Sequence, residues 1–226
     1  MVKLRRYKPK ISAMKQIITA LLLIMVISTT IIAQKKEEVN FSDPFQIDSS
    51  EYFLIPELVD NDNKDLYGKG VSFFSWGDYM DIYFYNSNTK QTKRVFAGQL
   101  ALIQTFNKRQ YYYDKPKETE IPANILPMHI VYLARTENFN GDNALDYQDP
   151  LYLYISTKTG DNLKQITPKG LNVLSWTLSK DKKMILVKVQ NDKNKNKKFG
   201  NGDDQLYYRI DLDDDISKIQ CYQINM

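Results

Sequence analysis

The pattern that constrains this chain most is a strand, a polar turn and a second strand, written three times. In one copy Leu151-Tyr-Leu-Tyr-Ile155 passes through Ser-Thr-Lys-Thr-Gly160-Asp-Asn into Leu163-Lys-Gln-Ile-Thr-Pro168. Ile82-Tyr-Phe-Tyr-Asn86, its polar turn and Thr92-Lys-Arg-Val-Phe96 repeat the pattern, and Leu206-Tyr-Tyr-Arg-Ile210 onward to Ile219 follows it more loosely. Side chains alternating with a period of two lie on opposite faces of a strand. A unit of this kind stacks on its neighbours to bury a common core. Ile130-Val-Tyr-Leu-Ala134 and Met184-Ile-Leu-Val-Lys-Val189 add further runs, each bounded by Asn, Asp, Gly or Lys. No window beyond residue 33 sustains a helical period, so the expected fold class is all-β.

Two loops with one spacing fall at the same place in two copies. The first is Asn138-Phe-Asn140-Gly-Asp142-Asn-Ala-Leu145-Asp146-Tyr-Gln-Asp149, and the second Asp192-Lys-Asn194-Lys-Asn196-Lys-Lys-Phe199-Gly-Asn-Gly-Asp203. Both carry oxygen-bearing side chains at loop positions 1, 3, 5 and 12 and an apolar residue at position 8, the spacing by which an EF-hand-type loop surrounds Ca²⁺. The candidate ligands are Asn138, Asn140, Asp142, Asp146 and Asp149 in the first loop, and Asp192, Asn194, Asn196 and Asp203 in the second. Hard oxygen donors point to Ca²⁺ rather than zinc. Asp replaces a bidentate Glu at position 12 of both loops, and lysines interleave the second, so modest affinity is expected. Asn143 stands at position 6, where a left-handed backbone is needed and asparagine tolerates it. A similar stretch, Asp60-Asn-Asp62-Asn-Lys64-Asp65, puts lysine where an oxygen is required and reads as degenerate. The competing reading is a pair of ordinary hairpin loops, since Asn, Asp and Gly are turn residues in any case.

Between the Leu151 and Leu206 copies lies Leu174-Ser-Trp176-Thr-Leu-Ser-Lys-Asp181-Lys-Lys-Met-Ile-Leu-Val-Lys188. With its flanking Tyr-rich strands this stretch resembles the repeats of TolB-like β-propellers, clearly over residues 151–211 and in outline over 71–150. The resemblance implies three antiparallel four-stranded units and a Trp176 packed between one unit and the next. It implies no catalytic residues. Lys182 departs from the family pattern, standing where the turn glycine would be. The third unit would use residues 171–178, 183–190, 205–211 and 216–223. The second would use 98–105, 128–135, 151–156 and 162–167, with 114–127 as an inserted loop. The first has Tyr52-Phe-Leu-Ile55 and residues 82–86 as its clearest strands. Propellers usually close with four or more units. Three would leave open edges through which a homo-oligomer could pair, and an irregular β-sandwich is the alternative.

Residues 1–33 hold six basic residues, no acid and an apolar run from Ile17 to Ile32. This describes an export signal cleaved after Ala33, so the expected mature domain is 34–226 in the periplasm, at the cell surface or secreted. The rival is an uncleaved membrane anchor, the only route to a membrane in this reading. Of the 31 Lys and Arg, 25 lie beyond residue 33 and face all 27 Asp and Glu, so the basic balance is no sign of nucleic acid. The lone Cys221 forms no internal disulfide.

His129 is the only histidine and heads an apolar strand, so zinc clusters and His-dependent triads have little to build on. Trp76 reads as a core anchor, and Tyr111-Tyr-Tyr113 beside Lys108 and Arg109 as an edge strand or a ligand platform. The expected function is therefore a non-enzymatic, Ca²⁺-binding repeat module with a protein or glycan partner. The runner-up is an envelope hydrolase with paired carboxylates.

Overall fold

A computed structural model describes residues 39–48, 50–58, 78–104 and 125–226. The chain divides into residues 1–38 and residues 39–226, and all described residues belong to the second unit. The expected export segment, the stretch 60–65 read as a degenerate loop, Trp76 and Tyr111 to Tyr113 lie outside the described residues. Among those described, no helix is long and apolar enough to cross a membrane.

The fold is all-β, as the alternation predicts. Twelve strands are described: β1 (Phe45–Gln46), β2 (Tyr52–Leu58), β3 (Asp78–Asn86), β4 (Thr92–Arg94), β5 (Leu102–Gln104), β6 (His129–Arg135), β7 (Tyr152–Thr157), β8 (Lys164–Gln165), β9 (Leu171–Leu178), β10 (Met184–Asn191), β11 (Gln205–Asp211) and β12 (Gln220–Ile224). A 3₁₀ turn, Ile216–Lys218, precedes β12 where the sequence reading begins a strand. Asp215 caps that turn, its carboxylate accepting the Ser217 N–H at 3.0 Å.

The strands form two sheets rather than three. β9 to β12 make an antiparallel four-stranded meander, as the repeat predicts for the last unit. The expected first and second units are joined into one eight-stranded sheet, ordered β1-β2-β3-β5-β6-β7-β8 with β4 also on β3. The joint lies on β3, whose nine residues hold two short strands along one edge. Its C-terminal half pairs with β4, and its first residues pair with β5 through Asp78–Gln104 and Tyr79–Ile103. Neither sheet closes into a barrel.

The pair β6–β7 lies between two cores. Ile130, Tyr132, Ala134, Tyr152 and Tyr154 face a first core with Leu54, Ile82, Phe84 and Phe96. The alternate residues Val131, Leu153 and Ile155 face a second core with Val173, Ile185, Val187, Val189 and Ile210 of the other sheet. A strand covered on both faces needs apolar side chains at successive positions, and β7 reads Tyr-Leu-Tyr-Ile for this reason. The pair β6–β7 thus carries one core on each of its faces.

Polar contacts hold the first unit to this middle pair. Lys93 pairs with Asp161 and Lys158 with Asp48. Gly160, at φ +74°, lets the β7–β8 turn meet Phe84, because a Cβ there would lie 2.7 Å from the ring. Within the first unit Asp81 is buried and accepts the N–H groups of Ile82 and Phe96 at 2.7 and 2.8 Å. Arg94 binds Asp81 at 2.9 Å and Glu57 at 3.2 Å, tying β2, β3 and β4 together.

Trp176 is half-buried against the second core, not enclosed between units. β9 is an edge strand among the described residues, so one side of the indole has no described strand paired beside it. A bulge between Lys188 and Val189 inserts Leu174, which is why Val173 and Trp176 share a face and Leu174 points to solvent. Lys182 adopts φ +59°, the backbone that glycine would supply, so this turn keeps the repeat's geometry at the cost of a left-handed lysine.

Candidate metal centre

Loop 1 (residues 138–149) joins β6 to β7, and loop 2 (residues 192–203) joins β10 to β11. Each connects the second and third strands of its unit, as the repeat predicts. The packing of β6 and β7 against the four-stranded sheet brings the two loops together.

The loops share one ladder of side-chain to backbone hydrogen bonds. Position 3 accepts the N–H of position 5, from Asp142 to Asn140 at 2.9 Å and from Asn196 to Asn194 at 3.0 Å. Position 5 accepts the N–H of position 7, from Ala144 to Asp142 and from Lys198 to Asn196, both at 2.9 Å. Position 12 closes each loop by accepting from positions 2 and 9. Asp149 takes Phe139 N–H at 2.8 Å and Asp146 N–H at 2.9 Å. Asp203 takes Lys193 N–H at 3.2 Å and Gly200 N–H at 2.9 Å. Position 1 accepts further along, Asn138 from Gly141 at 2.7 Å, and Asp192 from Asn196 and Lys197 at 3.0 and 2.8 Å. Positions 4 and 6 are left-handed in both loops: Gly141 and Asn143 in the first, Lys195 and Lys197 in the second. Asn143 therefore takes the conformation that its position demands.

This geometry gathers the predicted residues of each loop around its backbone, but not as a ready cluster of acids. Among the described residues no three acidic, histidine or cysteine side chains meet as a metal-ligand group. The like charge that the sequence concentrates in loop 1 is met first by N–H donors. Asn140 also gives its amide to Asp142 Oδ2 at 2.9 Å, and Asp146 Oδ1 accepts Gln148 N–H at 2.8 Å. Asp146 and Asp149 are buried, whereas Asp192 and Asp203 of loop 2 are not. Burial pushes the Asp149 carboxyl above its ordinary range even though the N–H groups of Asp146, Phe139 and Asn140 oppose the shift. Its charge is thus incompletely compensated.

The apolar position 8 differs between the loops. Leu145 is buried against Leu102 and Met80, pinning loop 1 to the sheet as expected. Phe199 instead stacks on Phe139 of loop 1, with ring centroids 5.3 Å apart and planes at 33°. Sequence reasoning missed this contact, because Phe139 occupies position 2, which the loop spacing leaves unassigned.

A polar cleft of about 370 Å³ adjoins loop 1 and is lined by Gln99, Thr136, Glu137, Tyr154, Gln165 and Lys169. Tyr154 hydroxyl bonds Thr136 at 2.6 Å and Gln165 at 3.0 Å, and Tyr152 hydroxyl donates to Glu137 at 3.0 Å. These residues come from separated connections and strands, so no spacing in the sequence announces them. Elsewhere, Glu57 and Asp81 share Arg94, an arrangement that tethers strands.

Comparison with protein-family models, curated proteins and solved structures finds no match.

Proposed function

We propose that this chain is an exported, non-enzymatic β-repeat module whose two loops bind Ca²⁺ and stiffen the strand connections that carry them. The observation that carries this reading is the recurrence of one turn ladder, with left-handed positions 4 and 6, in two loops whose sequences share little beyond the ligand spacing. Such turns hold side-chain oxygens around a common backbone curve, which is how an oxygen-rich loop presents a cage to a hard cation. The incompletely compensated charge of Asp149 supplies the electrostatic reason for a cation in loop 1. The two cores on opposite faces of β6 and β7 suit an open, propeller-like array. The polar cleft beside loop 1 offers hydroxyls, carboxamides and both charges to a glycan or peptide partner.

The test is thermal melting with and without a chelator. A ligand that binds only the folded state stabilises it by about 2.7 kcal/mol at a hundredfold excess over Kd. Chelation is expected to lower Tm, millimolar Ca²⁺ to restore it, and Mg²⁺ to restore it less, since its octahedral shell fits a six-to-eight-oxygen loop poorly. Asp142→Ala is expected to remove most of the response and Asp203→Ala less of it. A melting curve indifferent to chelator in the parent and both variants would leave the loops as ordinary turns.

A further inference from the structure

The polar cleft beside loop 1 has its floor built from the first core. Tyr154 lines it with a side chain only 5% exposed, and the neighbouring Tyr152 is fully buried, so both rings belong to the core while their hydroxyls serve the cleft. Burial pushes both phenols up, which keeps them protonated and able to donate. Tyr152 hydroxyl accepts the Gly170 N–H at 3.0 Å and donates to Glu137 Oε2 at 3.0 Å. The carboxylate is thereby fixed, with Oε1 left for another donor. Tyr154 hydroxyl donates to Gln165 Oε1 and so accepts from Thr136, while Gln165 Nε2 donates to the Thr167 carbonyl at 2.8 Å. Lys169 stands in the same lining as Glu137. The two do not pair with each other, and among the described residues the lysine ion pairs belong to Lys93, Lys158, Lys193 and Lys218.

We propose that this cleft binds a small zwitterion, a free polar α-amino acid or short peptide whose ammonium meets Glu137 and whose carboxylate meets Lys169. This inference rests on reading the cleft as the partner site, and narrows that reading. A carboxylate and an ammonium that share a cleft without closing on each other leave two opposite charges for a ligand to satisfy. A neutral sugar would displace their water and return no charge. It would also find no aromatic face to lie on, because the one ring in the lining is that of the buried Tyr154. The Gln99 and Gln165 carboxamides and the Thr136 hydroxyl serve the uncharged polar groups of the ligand.

The experiment is a calorimetric titration of the full chain with L-glutamine and with glycylglutamine, each beside its N-acetyl and α-amide forms, and with maltose as the neutral sugar. Acetylation removes the ammonium, and amidation removes the carboxylate charge. In the parent either change is expected to weaken binding about tenfold, the loss of one charge-assisted hydrogen bond. Glu137→Gln keeps an acceptor for Tyr152 and should weaken the zwitterion about tenfold, yet bind the N-acetyl form as well as the parent does. Lys169→Met should cost only about threefold, since the lysine is exposed, and should erase the penalty for amidation. Tighter binding of glutamine or of glycylglutamine assigns the ligand to the free amino acid or to the peptide. Acetylation and amidation penalties that are the same in the parent and both variants would overturn the charge assignment. Maltose binding without zwitterion binding would overturn the zwitterion and retain the cleft as a partner site. Failure of every probe to bind would overturn the partner reading of the cleft together with it.

Discussion

His129 illustrates how much one buried side chain can report. It is 4% exposed at the head of β6, and its Nε2 has no hydrogen-bond partner among the described residues. Burial lowers its pKa below the ordinary 6.5, against the upward pull of the Asp214 backbone and the Asp214 and Asp213 charges. The unfolded chain therefore takes up a proton at higher pH than the folded one. This contribution to stability is complete above about pH 6.5 and is lost as pH falls toward the lowered folded value. Asp149 acts with the opposite sign and in a more acidic window, because its folded pKa is raised. Acidification through that value favours the fold until the unfolded carboxyl also protonates near 3.8. Urea melts at closely spaced pH values should show a loss of stability between pH 7 and the lowered histidine value that disappears in His129→Leu. An unchanged slope in that variant would remove the histidine from the account. The sequence placed His129 at the head of an apolar strand, but did not show its contact with the distant Asp214.

At the scale of elements, turns decide how units meet. The β7–β8 turn combines a left-handed Gly160 with contact against the Phe84 ring, so two requirements fall on one residue. Gly160→Ala is expected to cost about 2–4 kcal/mol, from left-handed strain together with overpacking against an aromatic that is itself 1% exposed. Thermal or chemical denaturation measures it, and a loss below about 0.5 kcal/mol would show that the turn moves freely off Phe84. Both oxygen-rich loops were legible as elements, down to their place between β6 and β7 and between β10 and β11, because turn chemistry is local. Their mutual contact was not, since Phe139 and Phe199 are far apart along the chain.

At the scale of the molecule, β6 and β7 belong to both cores, so neither core can come apart without exposing the middle layer. Leu153→Ala, at a position with no exposure, should cost about 2–5 kcal/mol. It should also lower the melting of both sheets together. Fluorescence from the half-buried Trp176 and far-ultraviolet circular dichroism should give coincident transitions in the parent and the variant. Two separated transitions would show that the four-stranded sheet folds alone.

The sequence by itself determined the strands, the turns and the all-β class, because alternation and turn residues act over a few positions. It also determined the meander of the last unit, whose pairings join consecutive strands. Tertiary structure decided the number of sheets, since the splice of β3 onto β5 depends on backbone pairing that no side-chain pattern writes. It decided that Trp176 would be only half covered, because coverage at an edge depends on what stands beside it. It also set Phe199 against Phe139, a meeting of two loops that required the four-stranded sheet to pack on β6 and β7 first.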